Sequence, residues 1–221
     1  MITVTDQDTS ASSPGQHKGF RIFIALFLLW AIVGGVLYIT KGNHALFQAV
    51  HSLHTSVLDQ FFYYYTYVGD FVVIGPLLLL VWLLPQQYRN WRFFLLLVFT
   101  QLLPFLAVQG IKLLINAPRP SVVFGDADWF HRIAGLDLHA QLSFPSGHSA
   151  GAFACFTLLS ILLPAGKSFW GILFFLLAFL VAYSRMYLGQ HFFEDVYVGS
   201  LLGTLLCVLL YVSWWRIFRK K

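Results

Sequence analysis

Charge is what this sequence lacks most. Only 10% of its 221 residues are Asp, Glu, Lys or Arg, while 58% are hydrophobic. A soluble globular domain is about a quarter charged, so the composition excludes one and points to a chain that lives in a bilayer. The mean hydropathy of +0.73 agrees. Cysteine is nearly absent as well. Cys155 and Cys207 both fall inside apolar runs, and at about 1.5 Å per residue from the expected helix starts they lie at different depths. Neither a disulfide nor a cysteine metal site is expected. The net charge of +5 comes without a basic, aromatic-interleaved tract, so no nucleic-acid partner is expected. Asp126 and Asp128 read as solvated loop residues, not as metal ligands. No Asn-X-Ser/Thr sequon is present, which together with short loops favours a bacterial source. No internal repeat is evident.

What the sequence does have is long apolar runs. A span needs about 20 mostly apolar residues. Six stretches are candidates: 21–38, 65–84, 91–115, 148–163, 169–184 and 191–214, the fourth and fifth being short. The expected fold class is therefore an all-α polytopic membrane protein with six transmembrane helices. Residues 1–20 read as a polar, disordered cytoplasmic tail, and 21–221 as a single membrane domain. The pattern of a cleavable signal peptide is not matched, so the first run is expected to be retained. Pro76 and Pro104 lie within spans and are expected to kink them.

The basic residues orient the bundle. With the N-terminus in the cytoplasm, Lys18, Arg21, Arg89, Arg92, Lys167, Arg216, Arg219, Lys220 and Lys221 are inside, and so are both termini. Lys41, Lys112, Arg119, Arg132 and Arg185 are outside. That is a modest positive-inside bias. On the outer side, Leu46, Val50, Leu53, Val57, Leu58 and Phe61 recur at helical spacing. They suggest an amphipathic helix over 44–62 lying on the surface, with "FFYYYTY" as an interfacial aromatic belt. The loop 116–144 is long for a bundle. It either covers a site or is an ordinary exterior loop. Gly199 and Gly203 form a G-x-x-x-G that reads as a packing face, with dimerisation the weaker option.

Under this topology the ionisable residues that should avoid lipid collect at one surface. Lys112 comes one turn before the end of the third span, and Arg119 follows where Pro118 and Pro120 break the helix. Pro145, Ser146, Gly147 and His148 open the fourth span, Ser184 and Arg185 end the fifth, and His191 and Asp195 open the sixth on one helical side. Intramembrane charge is costly and usually functional. Three cations, a helix N-terminus and two histidines suit a tetrahedral dianion. Ser146 is a good N-cap. Lys112, Arg119, Arg185, Ser146 and Gly147 are candidates to bind phosphate. His191 would attack phosphorus with Asp195 behind it, and His148 would protonate the leaving oxygen. The scheme needs no metal or cofactor. Glu194 has no assigned role.

These residues also carry a resemblance. "KLLINAPRP" matches K-x6-R-P, "PSGH" matches a second signature, and "SRMYLGQHFFED" matches S-R-x5-H-x3-D. In order, they resemble the three motifs of the type-2 phosphatidic acid phosphatase family, over a core of 91–214. The same motifs occur in soluble vanadium haloperoxidases. The resemblance implies a membrane lipid phosphatase acting at the outer leaflet. It implies His191 as nucleophile with Asp195, His148 as acid, and phosphate binding by Lys112, Arg119, Ser146, Gly147 and Arg185. Expected substrates are phosphatidic acid, phosphatidylglycerol phosphate, undecaprenyl diphosphate or lipid A phosphate, with a slight preference for the last two that no residue supports. The alternatives are a lipid phosphotransferase using the same site and a non-catalytic lipid-phosphate binding or transport protein.

Overall fold

The computed structural model describes residues 18–162 and 168–218, and every regular element among them is helical. In chain order these are α1 (Lys18–Lys41), α2 (Asn43–His51), α3 (Ser56–Tyr65), a 3-10 turn (Thr66–Gly69) and α4 (Phe71–Leu83). A second short 3-10 turn then leads to α5 (Trp91–Ile115), α6 (Pro120–Val123), α7 (Gly147–Leu162), α8 (Ser168–Tyr187) and α9 (Phe193–Phe218). Most of the expected tail 1–20 lies outside the described residues, and its last three positions already belong to α1. Lys167, Arg219, Lys220 and Lys221 also lie outside them.

Helix ends follow local chemistry. The Thr55, Asp70 and Asn90 side chains accept from the N–H groups of Leu58 (3.2 Å), Val72 (3.0 Å) and Phe93 (2.9 Å), capping α3, α4 and α5. At the far end of α5, Asn116 turns left-handed (φ 47°) and its N–H closes on the Lys112 carbonyl.

Helices occupy all six expected stretches. Four are long and apolar enough to cross a membrane: α1, α5 continued through Val123, α8 and α9. The pair Ser56–Gly69 and Phe71–Leu83 passes the same test together, bent by 50°, and α7, with 16 residues, is shorter. The sharp bend lies at Asp70. Pro76 and Pro104 sit inside α4 and α5 without ending them. The expected surface helix over 44–62 is two helices, α2 and α3, separated by a turn. Phe47 and His51 of α2 and Phe62 of α3 point into the protein.

The outward surface is apolar. Ile39 is 82% exposed and Leu114 86%, and Phe71, Val72 and Leu113 are nearly as open. A patch of that extent is unfavourable in water and is the solvated face of an integral membrane protein.

At the centre stands α7, buried along almost its whole length and packed by α9, α8, α5 and α1. Its closest neighbour is α9, where small residues meet. A Cβ on Gly199 would lie 2.5 Å from the Ser146 carbonyl oxygen, and one on Gly203 2.1 Å from that of Ala150. The G-x-x-x-G is thus an internal packing face. Continuing this register by one turn brings Cys207 level with Ala154. The two cysteines therefore lie at similar depth, not different depths as counting from helix starts suggested, because α9 begins above the start of α7. Both are buried and free.

Gly203→Val drives two methyls into a backbone carbonyl that cannot yield without moving α7. Overpacking of this kind costs about 1–3 kcal/mol or more. Thermal unfolding in detergent is expected to show a clear drop in Tm, whereas Gly110→Ala, at a position open on all sides, is expected to change it little.

Candidate active site

Four segments converge at one end of the bundle: the end of α5 with Arg119, the start of α7, the α8–α9 turn, and the break between α3 and α4. The α8–α9 turn depends on Gly189, which is left-handed (φ 68°) and reverses the chain. The N–H groups of Gln190 and His191 then both return to the Arg185 carbonyl (3.0 and 3.2 Å). This folds His191 back beside Arg185 instead of away from it.

His191 is 2% exposed and Asp195 1%. The ring Nδ1 faces Asp195 Oδ2 at 3.3 Å. That oxygen also accepts from the Phe192 N–H (2.8 Å) and from the Ser143 hydroxyl. Nδ1 is held, so Nε2 is the free nitrogen. Burial pushes the His191 pKa well below its ordinary value, and Arg119, Arg185 and Lys112 push in the same direction. The imidazole is neutral and nucleophilic at neutral pH.

The cations come from three elements. Arg119, 7% exposed, is clamped by the Gln141 carbonyl on Nε and by the Gln190 carbonyl and side-chain oxygen on Nη1, each at 3.0 Å. Arg185, equally buried, donates from Nη1 to Thr66 Oγ1 at 2.7 Å, while its buried Nε has no partner among the described residues. Lys112 lines the same cavity. At the start of α7, Ser146 donates its N–H to the Asp195 carbonyl (2.9 Å), and its hydroxyl caps Ser149 (3.4 Å from N, 3.0 Å from Oγ). The next N–H groups, on Gly147 and His148, belong to an open helix N-terminus, a natural anion site. His148 Nε2 lies 3.4 Å from Asp70 Oδ2.

Six of the eight residues expected from sequence line one cavity of about 1030 Å³, and the other two, Ser146 and Asp195, are buried beside them and bonded to one another through the backbone. The polar end of the cavity holds Lys112, Arg119, Gly147, His148, Arg185 and His191. The rest runs between α4 and α5, walled by Leu78, Leu79, Leu97, Leu102 and Phe105, as far as Trp82 and Phe94. A cationic head on a long apolar trough has the shape and polarity of a lipid phosphate.

Residues 91–219 match the sequence model of the PAP2 superfamily, more than half of the chain. The chain belongs to the PAP2 superfamily. Among curated proteins, this PAP2 chain is 26% identical to phosphatidylglycerophosphatase B of Bacillus subtilis over 201 residues, 84% of this chain and 91% of that one. Two solved structures are similar. LpxE of Aquifex aeolicus has a TM-score of 0.62 at 29% identity, covering 77% of this chain and 94% of that one. The transmembrane PAP2-type phosphatidylglycerolphosphate phosphatase of Bacillus subtilis has a TM-score of 0.63 at 26% identity, covering 92% and 99%. By family and relatives, this PAP2 protein is an enzyme of the membrane lipid phosphatase class, a phosphoric monoester hydrolase.

Sequence reasoning missed the residues that hold the motif residues in place. Ser143 binds Asp195, Gln190 clamps Arg119, Thr66 binds Arg185, and Asp70 faces His148. All are short or neutral polar side chains whose partners are mostly distant in sequence, and no spacing marks them. Glu194, left without a role, accepts from the Tyr38 hydroxyl (2.7 Å) and donates its N–H to Asn43 Oδ1 (2.9 Å), tying α9 to α1 and α2.

The loop 116–144 does cover the site. The Arg119 N–H pairs with the Ala140 carbonyl, the Gln190 side chain donates to the Asp137 carbonyl (2.7 Å), and His139 lines the cavity. Phe124, Trp129 and Phe130 pack on Phe47 of α2. His51 bolts this roof down: its Nδ1–H donates to the Tyr187 carbonyl (2.8 Å), and its Nε2 accepts from the His131 N–H (3.1 Å). The bolt requires a neutral ring, because a protonated Nε2 cannot accept.

Burial lowers the His51 pKa in the folded state. The unfolded chain takes up a proton near the ordinary value of about 6.5, so below that pH it binds more protons than the folded chain. Stability is then full above the ordinary value and falls as pH drops below it. His191 contributes with the same sign. The Tm of the wild type is expected to fall between pH 8 and pH 5. In His51→Gln, which lacks one titrating group, the fall should be smaller. An equal fall in both would mean His51 takes no part.

Proposed function

We propose that the protein is a metal-independent phosphatase of a membrane lipid phosphate, working through a phosphohistidine at the outer leaflet of a bacterial cytoplasmic membrane. The observation that carries this reading is the buried His191–Asp195 pair, set against the open N-terminus of α7 at the cationic end of an apolar trough. The single-domain organisation of 21–221, with both termini cytoplasmic, is part of the proposal. Charge bias supports the orientation.

The phosphate lies between Arg119, Arg185 and Lys112, with the first N–H groups of α7 on one of its oxygens. Arginine offers planar, paired donors to such oxygens. His191 Nε2 attacks phosphorus in line. The P–N bond forms as the bond to the lipid oxygen breaks, and Asp195 steadies the positive charge that grows on the ring. His148 gives its proton to the departing oxygen. In the second step His148 takes a proton from water, the hydroxide attacks phosphorus, and the P–N bond breaks to release phosphate. The protein charges that stabilise the transition state are in place before reaction, which is where most electrostatic catalysis originates. The trough between α4 and α5 takes the lipid chains. The names of the Bacillus relatives place phosphatidylglycerol phosphate first among the substrates to test, ahead of phosphatidic acid, undecaprenyl diphosphate and lipid A phosphate.

The test is phosphate release by purified protein in detergent with EDTA, across those four lipids. Release is expected from at least one. His191→Ala should abolish it. His148→Ala should lower kcat by about 10²–10⁴-fold, the usual worth of a general acid. An alkaline quench of the wild type with ³²P-substrate should leave an acid-labile label on the protein, missing in His191→Ala. Activity lost in EDTA and restored by magnesium would overturn the metal-free part. Release that requires an added lipid acceptor would point to phosphotransfer. No turnover, with substrate bound as well by His191→Ala as by the wild type, would point to a binding or transport protein.

A further inference from the structure

The three motifs supply one carboxylate, Asp195, and His191 uses it. The acid histidine has none from the motifs. The charged groups and histidines that act most strongly on His148 are Arg185, His191, Lys112 and Arg119, Asp70 is in contact with it, and His139 also lines the cavity. Apart from Asp70, these are cations and histidines. A general acid must carry a proton before it can give one, and positive neighbours oppose that, whereas an adjacent carboxylate favours it.

We propose that Asp70 is the positioning partner of His148, holding it through Nε2 and leaving Nδ1 to carry the proton to the leaving oxygen. The inference rests on the phosphatase reading above. Asp70 lies outside all three motifs and ahead of the matched segment 91–219, at the 50° break between α3 and α4. One of its oxygens is fixed: Oδ1 caps α4 by accepting from the Val72 N–H at 3.0 Å. The other, Oδ2, is thereby aimed at His148 Nε2, 3.4 Å away. That contact is at ion-pair distance, and catalytic hydrogen bonds are often long in the free enzyme. His148 Nδ1 makes no hydrogen bond among the described residues.

The chain is built to bring Asp70 this close. A Cβ on Gly69 would lie 2.4 Å from Val181 Cγ1 and 3.1 Å from the His148 carbonyl oxygen, so only glycine lets the turn lie against the start of α7. Thr66, one turn earlier, fastens the same segment to Arg185. The break in the second span therefore delivers a carboxylate to the active site. The site then holds two His–Asp pairs of opposite hand. His191 is held at Nδ1 and reacts at Nε2, and His148 is held at Nε2 and reacts at Nδ1. The proton leaves Nδ1 for the lipid oxygen as the P–O bond breaks, and Nδ1 recovers one from the attacking water. No other reactant is needed.

The variant to make is Asp70→Asn in the full-length protein, since Asn also caps a helix well and α4 keeps its start. Two substrates separate an acid-supporting role from a structural one. A short-chain phosphatidic acid has an alkoxide leaving group that needs a proton, whereas p-nitrophenyl phosphate does not. Asp70→Asn is expected to lose on the order of 10²-fold in kcat on the first and far less on the second, as His148→Ala should. The basic limb of the pH profile should move to lower pH, and Asp70→Glu should recover part of the loss. In parallel, ring-¹⁵N histidine NMR in micelles, with His148 assigned by its absence in His148→Ala, should show the His148 titration moving to lower pH in Asp70→Asn. Equal losses on both substrates, or an unmoved titration, would overturn the proposal. A titration that moves in a protein that releases no phosphate would leave the pair standing and refute the phosphatase reading instead.

Discussion

The close approach of α9 to α7 is the constraint on which the site depends. Where Gly199 and Gly203 meet the Ser146 and Ala150 carbonyls, the helices come closer than any side chain allows. That approach presses the first turn of α9 against the first turn of α7, so the Ser146 N–H can reach the Asp195 carbonyl. Asp195, in the first turn of α9, and His191, just ahead of that helix, then face the open N-terminus of α7. Small residues at helix interfaces are the usual means of close packing in a bilayer, where the hydrophobic effect does not press helices together. In the proposed mechanism the packing also fixes chemistry, because a widened interface would separate the attacking nitrogen from a phosphate held by the α7 N–H groups.

The second constraint is electrostatic. Two guanidiniums, each 7% exposed, and an ammonium share one cavity. Taking such charges out of water is expensive unless they are paired. The structure meets this partly with neutral groups. Arg119 is surrounded by carbonyl oxygens and Arg185 donates to a hydroxyl, leaving a buried Nε unmatched. Cations solvated by dipoles instead of by carboxylates keep their charge available to an incoming dianion. A carboxylate clamp on each arginine would stabilise the free protein and weaken its hold on phosphate.

Much of this was legible in the sequence, for a physical reason. Lipid tolerates so little charge that a Lys, Arg, His or Asp near a span end stands out, and Lys112, Arg119, His148, Arg185, His191 and Asp195 all did, whereas Asp70 did not. Apolar runs marked the six helices for the same reason. What stayed hidden was set by packing between segments distant in sequence. The register of α9 on α7, which brings the cysteines level, depends on where each helix starts relative to the other. The loop 116–144 is long enough to cover a site, but nothing in its own sequence chooses that over an ordinary exterior loop. Its aromatic contacts with Phe47, and the bonds through Gln190 and Ser143 that make it a roof, join residues 50 or more positions apart. The second span reads as one helix because apolar residues resume at Phe71 directly after Gly69 and Asp70. Only Gly69 and Asp70, a flexible residue followed by a capping residue, marked the break, and the pair is too common to be decisive.

That break changes how the fold divides its labour. The matched PAP2 segment holds every residue to which the proposed mechanism gives the role of nucleophile, acid or phosphate ligand. The segment before it carries a bent span whose corner, Thr66 to Asp70, sits on the active site and whose lower half, α4, forms one wall of the lipid trough. In the proposed binding mode, headgroup and chain contacts would therefore reach the substrate from the same short stretch. A substitution that tilts α4 to fit a different lipid chain also moves Asp70 relative to His148. If Asp70 positions His148 as proposed, substrate choice and proton transfer are mechanically joined, and the joint lies in the part of the chain that carries no motif.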